Sequence, residues 1–465
     1  MRKLRWLAIL MALALVIAAC GGDDAATTTT AAADDGTTTT APAGDDETTT
    51  TMASGLEGTL RVLLHQNPPL VEYMEAFNER FTSANPGVEI EMEIVAASDL
   101  ATAIQTRLTA GEADVIDFCP APCSAFSNAL QPYMTDVNPP LWQQLIEAGL
   151  VADLTNEPFV ANYDPTAVAD AGSYNGQVYA LPAGRVSYSG MFVNVDLLES
   201  VGVALPATWS DLVAACESIT AAGHECMTVG GADGWPVFVG AYGLLGAFYP
   251  DQEALVEGLW TGDIKWNDDN TLELWRRYQV YATELLEEGV TGISHDAGPA
   301  RFAAGDVAFM PTGVWQGPAV EAAEPGFDWT YVPFPGSDDP ADNQYLFGKY
   351  DMSWMVAENS ENKDLAMAYL AALSDPAEYQ LFIDAVGFLP TQPTATLDSQ
   401  LGRAVAPLLD NYRVGFEQYW VQPTGAGQWA NGSQGAAWFA PFNEWTDPVA
   451  LANQAQADLE AGLGS

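Results

Sequence analysis

Positive charge is what this sequence has least of. Against 62 Asp and Glu stand 15 Lys and Arg, a formal net charge of −47 over 465 residues. A surface of that sign repels phosphate backbones, so nucleic acid is excluded as a partner. Catalytic motifs are missing as well. There is no Gly-x-Ser-x-Gly nucleophile elbow and no His-Glu-x-x-His metal motif, and the three histidines are scattered. No glycine-rich phosphate loop leads into a helix with a lysine. Beyond the first twenty residues no apolar stretch is long enough to cross a bilayer, which takes about 20 residues. A pair of carboxylates about 5–10 Å apart would suffice for a glycoside hydrolase, and with this many acids an exported hydrolase stays open as an alternative.

What is present begins with an address. Arg2, Lys3 and Arg5 precede the short apolar run Trp6 to Ile17, which closes on Ile17-Ala18-Ala19-Cys20. This is a signal-peptide pattern, and its end resembles the lipobox of bacterial lipoproteins. The resemblance implies cleavage before Cys20 and a lipid on its thiol, placing the protein on the outer face of the cytoplasmic membrane. Residues 21–56 are runs of threonine with Ala, Gly and acidic pairs such as Asp23-Asp24 and Asp45-Asp46. They offer almost nothing to bury, so ordering entropy is not offset and a disordered tether is expected. The remainder, 57–465, keeps 12 basic and 55 acidic residues and is rich in apolar and aromatic side chains. That length supports two lobes better than one core. The acid excess fits either a salty habitat, where screening relieves self-repulsion, or a cationic ligand.

Five cysteines become four once Cys20 is lipidated. An even number in an oxidising compartment points to disulfides, and the local solutions are Cys216 with Cys226 and Cys119 with Cys123. His224 beside Cys226 supplies too few donors for a structural metal site, so neither metal nor cofactor is expected.

Periodicity then describes an α/β body. Thr59 to His65 is an apolar strand. Leu70 to Ala84 is a helix with Val71, Met74, Phe77 and Phe81 on one face, stopped by Asn85-Pro86-Gly87. Val88 to Val95 alternates apolar residues with Glu89, Glu91 and Glu93, as a half-exposed strand near a sheet edge does. A helix over 98–110 and a strand over 113–118 complete a pattern of right-handed crossovers and a mainly parallel sheet. The same grammar restarts with strands over 178–182 and 190–194 and a helix capped at Thr208. Helices come next over 251–258, 270–288 and 296–304, then strands over 306–311 and 331–334. Helices from Lys363, from Pro376 and from Pro448 to Ala461 end the pattern.

Four collinear passages resemble the family 1 extracellular solute-binding proteins of bacterial ABC importers, the maltose-binding-protein-like group. They are Phe81 to Gly111; Tyr174 to Leu212, with Tyr174-Asn-Gly-Gln-Val-Tyr-Ala-Leu-Pro182 and Pro206-Ala-Thr208-Trp209; Phe302 to Trp315; and Asn359 to Lys363 with Gly387-Phe-Leu-Pro390. The resemblance implies a two-lobe, type II periplasmic-binding fold with hinge crossovers near 184, 335–345 and 388, and a ligand cleft between lobes. Residues 57–184 and 336–388 would form lobe 1, and 185–335 lobe 2, with 389–465 mainly on lobe 2. It further implies a monomer that delivers a small solute, most often a sugar, to membrane permease subunits, without catalysis. Polyamines and glycerol phosphates remain alternative ligands. Gly425 to Trp445, with its tryptophans, departs from the family pattern.

A sugar pocket needs flat apolar faces for C–H patches and planar polar groups for hydroxyls. Such residues are sought just beyond the carboxyl ends of strands. Trp315 leads, because in similar proteins the tryptophan at this position stacks on ligand. Trp235 and Asp233 sit on a glycine-rich loop. Gln66 and Asn67 come directly after the first strand, and Phe118 ends the third. Arg185 and Tyr188 lie at the first crossover, Tyr350 and Asp351 at the second. Trp438 stands for the late aromatics.

Overall fold

The structure, a computed structural model, describes residues 55–119, 125–127 and 129–464. The leader, Cys20, the threonine-rich segment to residue 54, and Cys123 lie outside the described residues.

Two sheets form two lobes, and a third joins them. The first has the order Gly87–Val95, Glu57–His65, Val115–Phe118, Ser353–Val356, Leu181–Pro182. Its first three strands run parallel, and Ser353–Val356 is antiparallel to both neighbours. Leu60, Val62, Leu63 and Leu64 are buried because Glu57–His65 lies inside this sheet. Gly87–Val95 is its edge, where Glu89, Glu91 and Glu93 point to water. The crossover helix Pro68–Ala84 buries Leu70, Tyr73, Met74, Phe77 and Phe81. Met74, Phe77 and Phe81 are buried as expected, while Val71 turns partly outward and Leu70 and Tyr73 widen the buried face. The helix Lys363–Leu373 covers the same region, with the Tyr369 ring edge-on to Phe77 and Phe81.

The second sheet has the order Trp329–Pro333, Gly190–Asn194, Val307–Pro311, Glu225–Met227. Gly190–Asn194 is antiparallel to both neighbours, and Glu225–Met227 runs parallel to Val307–Pro311. The Cys216–Cys226 disulfide ties the helix Trp209–Ala221 to this sheet's last strand. Thr208 caps that helix, its hydroxyl accepting from the Asp211 N–H at 3.1 Å.

The joining sheet is Tyr412–Val414, Leu346–Tyr350, Arg185–Ser187. The chain leaves the first sheet at Leu181–Pro182, passes through Arg185–Ser187 and enters the second at Gly190–Asn194. It returns through Leu346–Tyr350 into Ser353–Val356. The segment just before this return stays with the second lobe, since Ser337 and Asn343 bond to Trp209 and Ala207. The helix Gln400–Val405 packs on Trp329–Pro333, and the chain then re-enters the joining sheet.

The late tryptophans are packing, not surface. Trp438 lies stacked on Trp275 at 6.1 Å, and Trp429 meets Trp438 edge-on at 5.0 Å. The last helix, Pro448–Leu463, closes over Asp269–Val280. Among the described residues no helix is long and apolar enough to cross a membrane.

Candidate functional site

The parallel strands Glu225–Met227 and Val307–Pro311 end on the same side of the second sheet. The segment after each is short, glycine-rich and aromatic. After the first, the turn Gly231–Asp233 leads into the helix Trp235–Gly240, whose first indole is 37% exposed. After the second, the turn Val314–Gln316 carries Trp315. Its indole folds back over Gly313, where an added Cβ would lie 2.0 Å from the ring. Trp315 packs against two buried apolar clusters, and its turn lies against the joining strand Arg185–Ser187. The two indole centroids are 6.2 Å apart and inclined by 43°. His295 completes the group, its ring 4.4 Å from Trp235. Asp233 is occupied here, accepting the His295 backbone N–H at 2.6 Å.

Nearer the joining strands lies a buried charged network. His65 ends the strand Glu57–His65 and pairs its Nδ1 with Asp117 on Val115–Phe118. Burial works against the imidazolium, yet the charge and hydrogen bond of Asp117 outweigh it and raise the His65 pKa. Lys349 donates to Glu417 at 2.9 Å and stands 3.9 Å from Asp351. Tyr242 donates to the other Glu417 oxygen at 2.8 Å. Burial pushes the Asp351 carboxyl up to about 6, with Lys349 pulling the other way. Gln418, next to Glu417, donates to the Ala125 carbonyl at 3.1 Å, so the aromatic tail reaches the first lobe. Buried acceptors Asp117 Oδ1 and Gln418 Oε1 have no protein partner among the described residues.

Several expected ligand residues are placed elsewhere. Tyr188 is 2% exposed, its ring 4.7 Å from Tyr242 and its hydroxyl against Gly415, so it is core. Phe118 is buried in the first lobe and Trp438 in the second, because both fill inter-element space that their strands and turns enclose. Tyr350 is also buried, its hydroxyl 3.4 Å from Asp170 and its pKa pushed up to about 12 by burial and that carboxylate. It pairs with Arg185 across the joining sheet, and paired residues share a face. Arg185, half-buried, lies over the Tyr412 ring at 5.2 Å and reaches the Pro390 carbonyl at 3.4 Å. That face is opposite the one carrying Lys349. Gln66 is exposed and Asn67 half-buried at the start of Pro68–Ala84, where neither is committed to a helix cap. Trp235, Trp315 and Asp233 are thus brought together, and Asp351 belongs to the charged network. Sequence reasoning placed Lys349 near the expected cleft without a role and passed over His295, Gln316 and Glu417. Of the three passed over, only the rarity of histidine could have marked His295.

His65, Asp117 and Cys119 bring three possible metal donors within 4.8 Å of one another. Cys119 is disulfide-bonded, so its sulfur has no thiolate to offer, and the other two satisfy each other. Its expected partner, Cys123, lies outside the described residues.

A family model described as a bacterial extracellular solute-binding protein matches residues 67–380, more than half of the chain. The chain belongs to that family. A multiple sugar-binding protein of Streptococcus mutans is 21% identical over 314 residues, 66% of this chain and 69% of the relative. Among solved structures, the solute-binding protein RafE in complex with raffinose superimposes with a TM-score of 0.69 at 18% identity, covering 87% of this chain and 100% of that one. A sugar transporter from Bacillus licheniformis in complex with stachyose gives 0.66 at 16% identity, covering 87% and 100%. Maltose-bound MalE3 of T. maritima gives 0.63 at 18%, covering 86% and 99%. The fold is therefore the two-lobe α/β fold of solute-binding proteins, and the chain is an exported member of a family that binds rather than transforms its solutes.

Proposed function

We propose that the chain is the substrate-binding component of an ABC importer and that it captures an uncharged mono- or oligosaccharide between its lobes. The observation that carries this reading is the indole wall of Trp235 and Trp315 at the lobe-2 edge, beside the joining strands. Aromatic faces take the C–H patches of a sugar, and carboxylates and amides take its hydroxyls. The names of the relatives, which bind raffinose, stachyose and maltose, support the same chemistry. Lobe closure bends the three short strands of the joining sheet, and the closed pair of lobes presents one surface to a permease. A lipid on Cys20 and the threonine-rich tether hold the monomer near that permease.

A thermal-shift panel of sugars, polyols, polyamines and glycerol phosphates tests the reading. Ligand at 100 times its Kd adds about 2.7 kcal/mol of stability. Stabilisation by sugars alone supports it. Stabilisation by polyamines alone overturns the sugar and keeps the fold, making the acidity functional. Product release from an oligosaccharide would overturn binding without chemistry.

A further inference from the structure

His295 belongs to neither tryptophan's element, yet it touches both. The segment 293–297, which holds its own short turn His295–Ala297, is stitched to the Trp235 loop by two hydrogen bonds. The Ala232 N–H donates to the Ile293 carbonyl at 2.9 Å, and the His295 N–H donates to Asp233 at 2.6 Å. Gly230 lets the two segments meet, since a Cβ there would lie 2.5 Å from the His295 Cα. On its other side the buried Gln316, next to Trp315, brings its amide nitrogen within 3.0 and 2.8 Å of the two ring nitrogens and 3.2 Å of the His295 carbonyl. Three turns from three parts of the chain therefore interlock through one side chain. An indole pair 6.2 Å apart and inclined by 43° leaves no slot for a sugar between the rings, so they serve as one bent wall. The angle of that wall is set by what holds the two turns together.

We propose that His295 is a positioning residue for ligand recognition: its ring, packed on Trp235 and bonded to Gln316, fixes the inclination of the Trp235 and Trp315 indoles. This rests on the reading of the indole wall as the ligand face. The link requires a neutral ring. An amide nitrogen about equally far from both ring nitrogens lies over the ring face, where a neutral imidazole offers its π cloud to the Gln316 N–H and the imidazolium repels that donor. The charged groups facing the ring are Asp233, from the loop bonded to its backbone, and Asp296 beside it. The Trp235 helix start and the Trp315 turn bring none. Burial dominates and lowers the imidazole pKa, against the pull of Asp296 and Asp233, so the ring is neutral at pH 7.

Two arms on the full chain test the proposal. Without ligand, tryptophan emission is recorded from pH 8 to pH 4, taking the difference between the parent and Trp235→Phe. A transition with a midpoint below the ordinary histidine value is expected, and His295→Gln should abolish it. Its survival in His295→Gln overturns the proposal. With raffinose as the probe in calorimetry at pH 7.5, His295→Ala should bind about tenfold more weakly. His295→Gln, which keeps a neutral polar side chain there, should bind within about threefold, the low end of one net hydrogen bond. Parent affinity should fall toward pH 4.5 while that of His295→Gln stays flat. Trp315→Ala separates the two ideas. If it weakens raffinose binding while His295→Ala does not, positioning fails and the wall stands. If Trp315→Ala leaves affinity unchanged, the wall itself is not the ligand face.

Discussion

Gly313 shows how a single hydrogen can shape a binding surface. Its backbone is extended, with φ of −80°, so alanine meets no conformational penalty there. The obstacle is the Trp315 indole, which occupies the space a Cβ would need. Gly313→Ala should therefore push the half-buried indole out of place and weaken sugar binding by about 1–3 kcal/mol, the worth of the large apolar contact it would lose. Equal affinity in calorimetry would mean that the indole's place does not matter. Asp351 makes the second residue-scale prediction. Its folded pKa, about 6, lies above the ordinary value of 3.8, so its proton stabilises the fold below pH 4 and that contribution is lost as pH rises through 6. Asp351→Asn keeps no such dependence. Relative to the parent, the variant should gain up to about 3 kcal/mol between pH 4 and pH 7 in denaturant unfolding. A constant difference across that range would show that the carboxyl ionises normally.

At the scale of elements, the Cys216–Cys226 bridge closes a sequence separation of 10 between a helix and the strand it feeds. Replacing both cysteines by serine should cost about 2–3 kcal/mol in unfolding experiments, since a short loop loses only modest chain entropy when closed. Legibility in the sequence depended on period. The Glu89, Glu91 and Glu93 alternation marked an edge strand, and the Met74, Phe77 and Phe81 spacing marked a buried helix face. The helix expected over 270–288 begins at Asp269, widens into a π-helical turn over Tyr281–Leu285 and ends there, three residues early. The strand Leu346–Tyr350 left no mark, because the charged Lys349 stands buried within it, held by distant Glu417 and nearby Asp351. The site was half legible for a similar reason. A tryptophan after a strand reads the same whether it meets solvent, as Trp235 does, or lies enclosed like Trp438. Only the packing of remote segments separates the two.

On the whole molecule, acid is in excess and the cations are largely consumed locally. Arg61 pairs with Asp114, Arg80 with Glu378, Arg107 with Glu93 and Glu112, and Arg301 with Glu287 and Asp306. The remaining carboxylates repel one another through solvent. Raising NaCl from 0.1 M to 1 M shortens the screening length from about 10 Å to about 3 Å, so the melting temperature should climb with salt. A flat or falling curve would mean that self-repulsion is not a significant cost. The same titration sorts ligands, because affinity for an uncharged sugar should hold across it while affinity for a polyamine should collapse.

Trp315 is half-buried, and its turn, Val314–Gln316, lies against the joining strand Arg185–Ser187. On the proposed reading, a sugar that leans on this indole presses on a fulcrum. The force needs no relay of intermediate residues to reach the joining strands, because the surface that senses the load is already seated at the pivot. Mutations that loosen this seat should blur occupied and empty states together, so that the importer would read a less certain signal even where the sugar still binds.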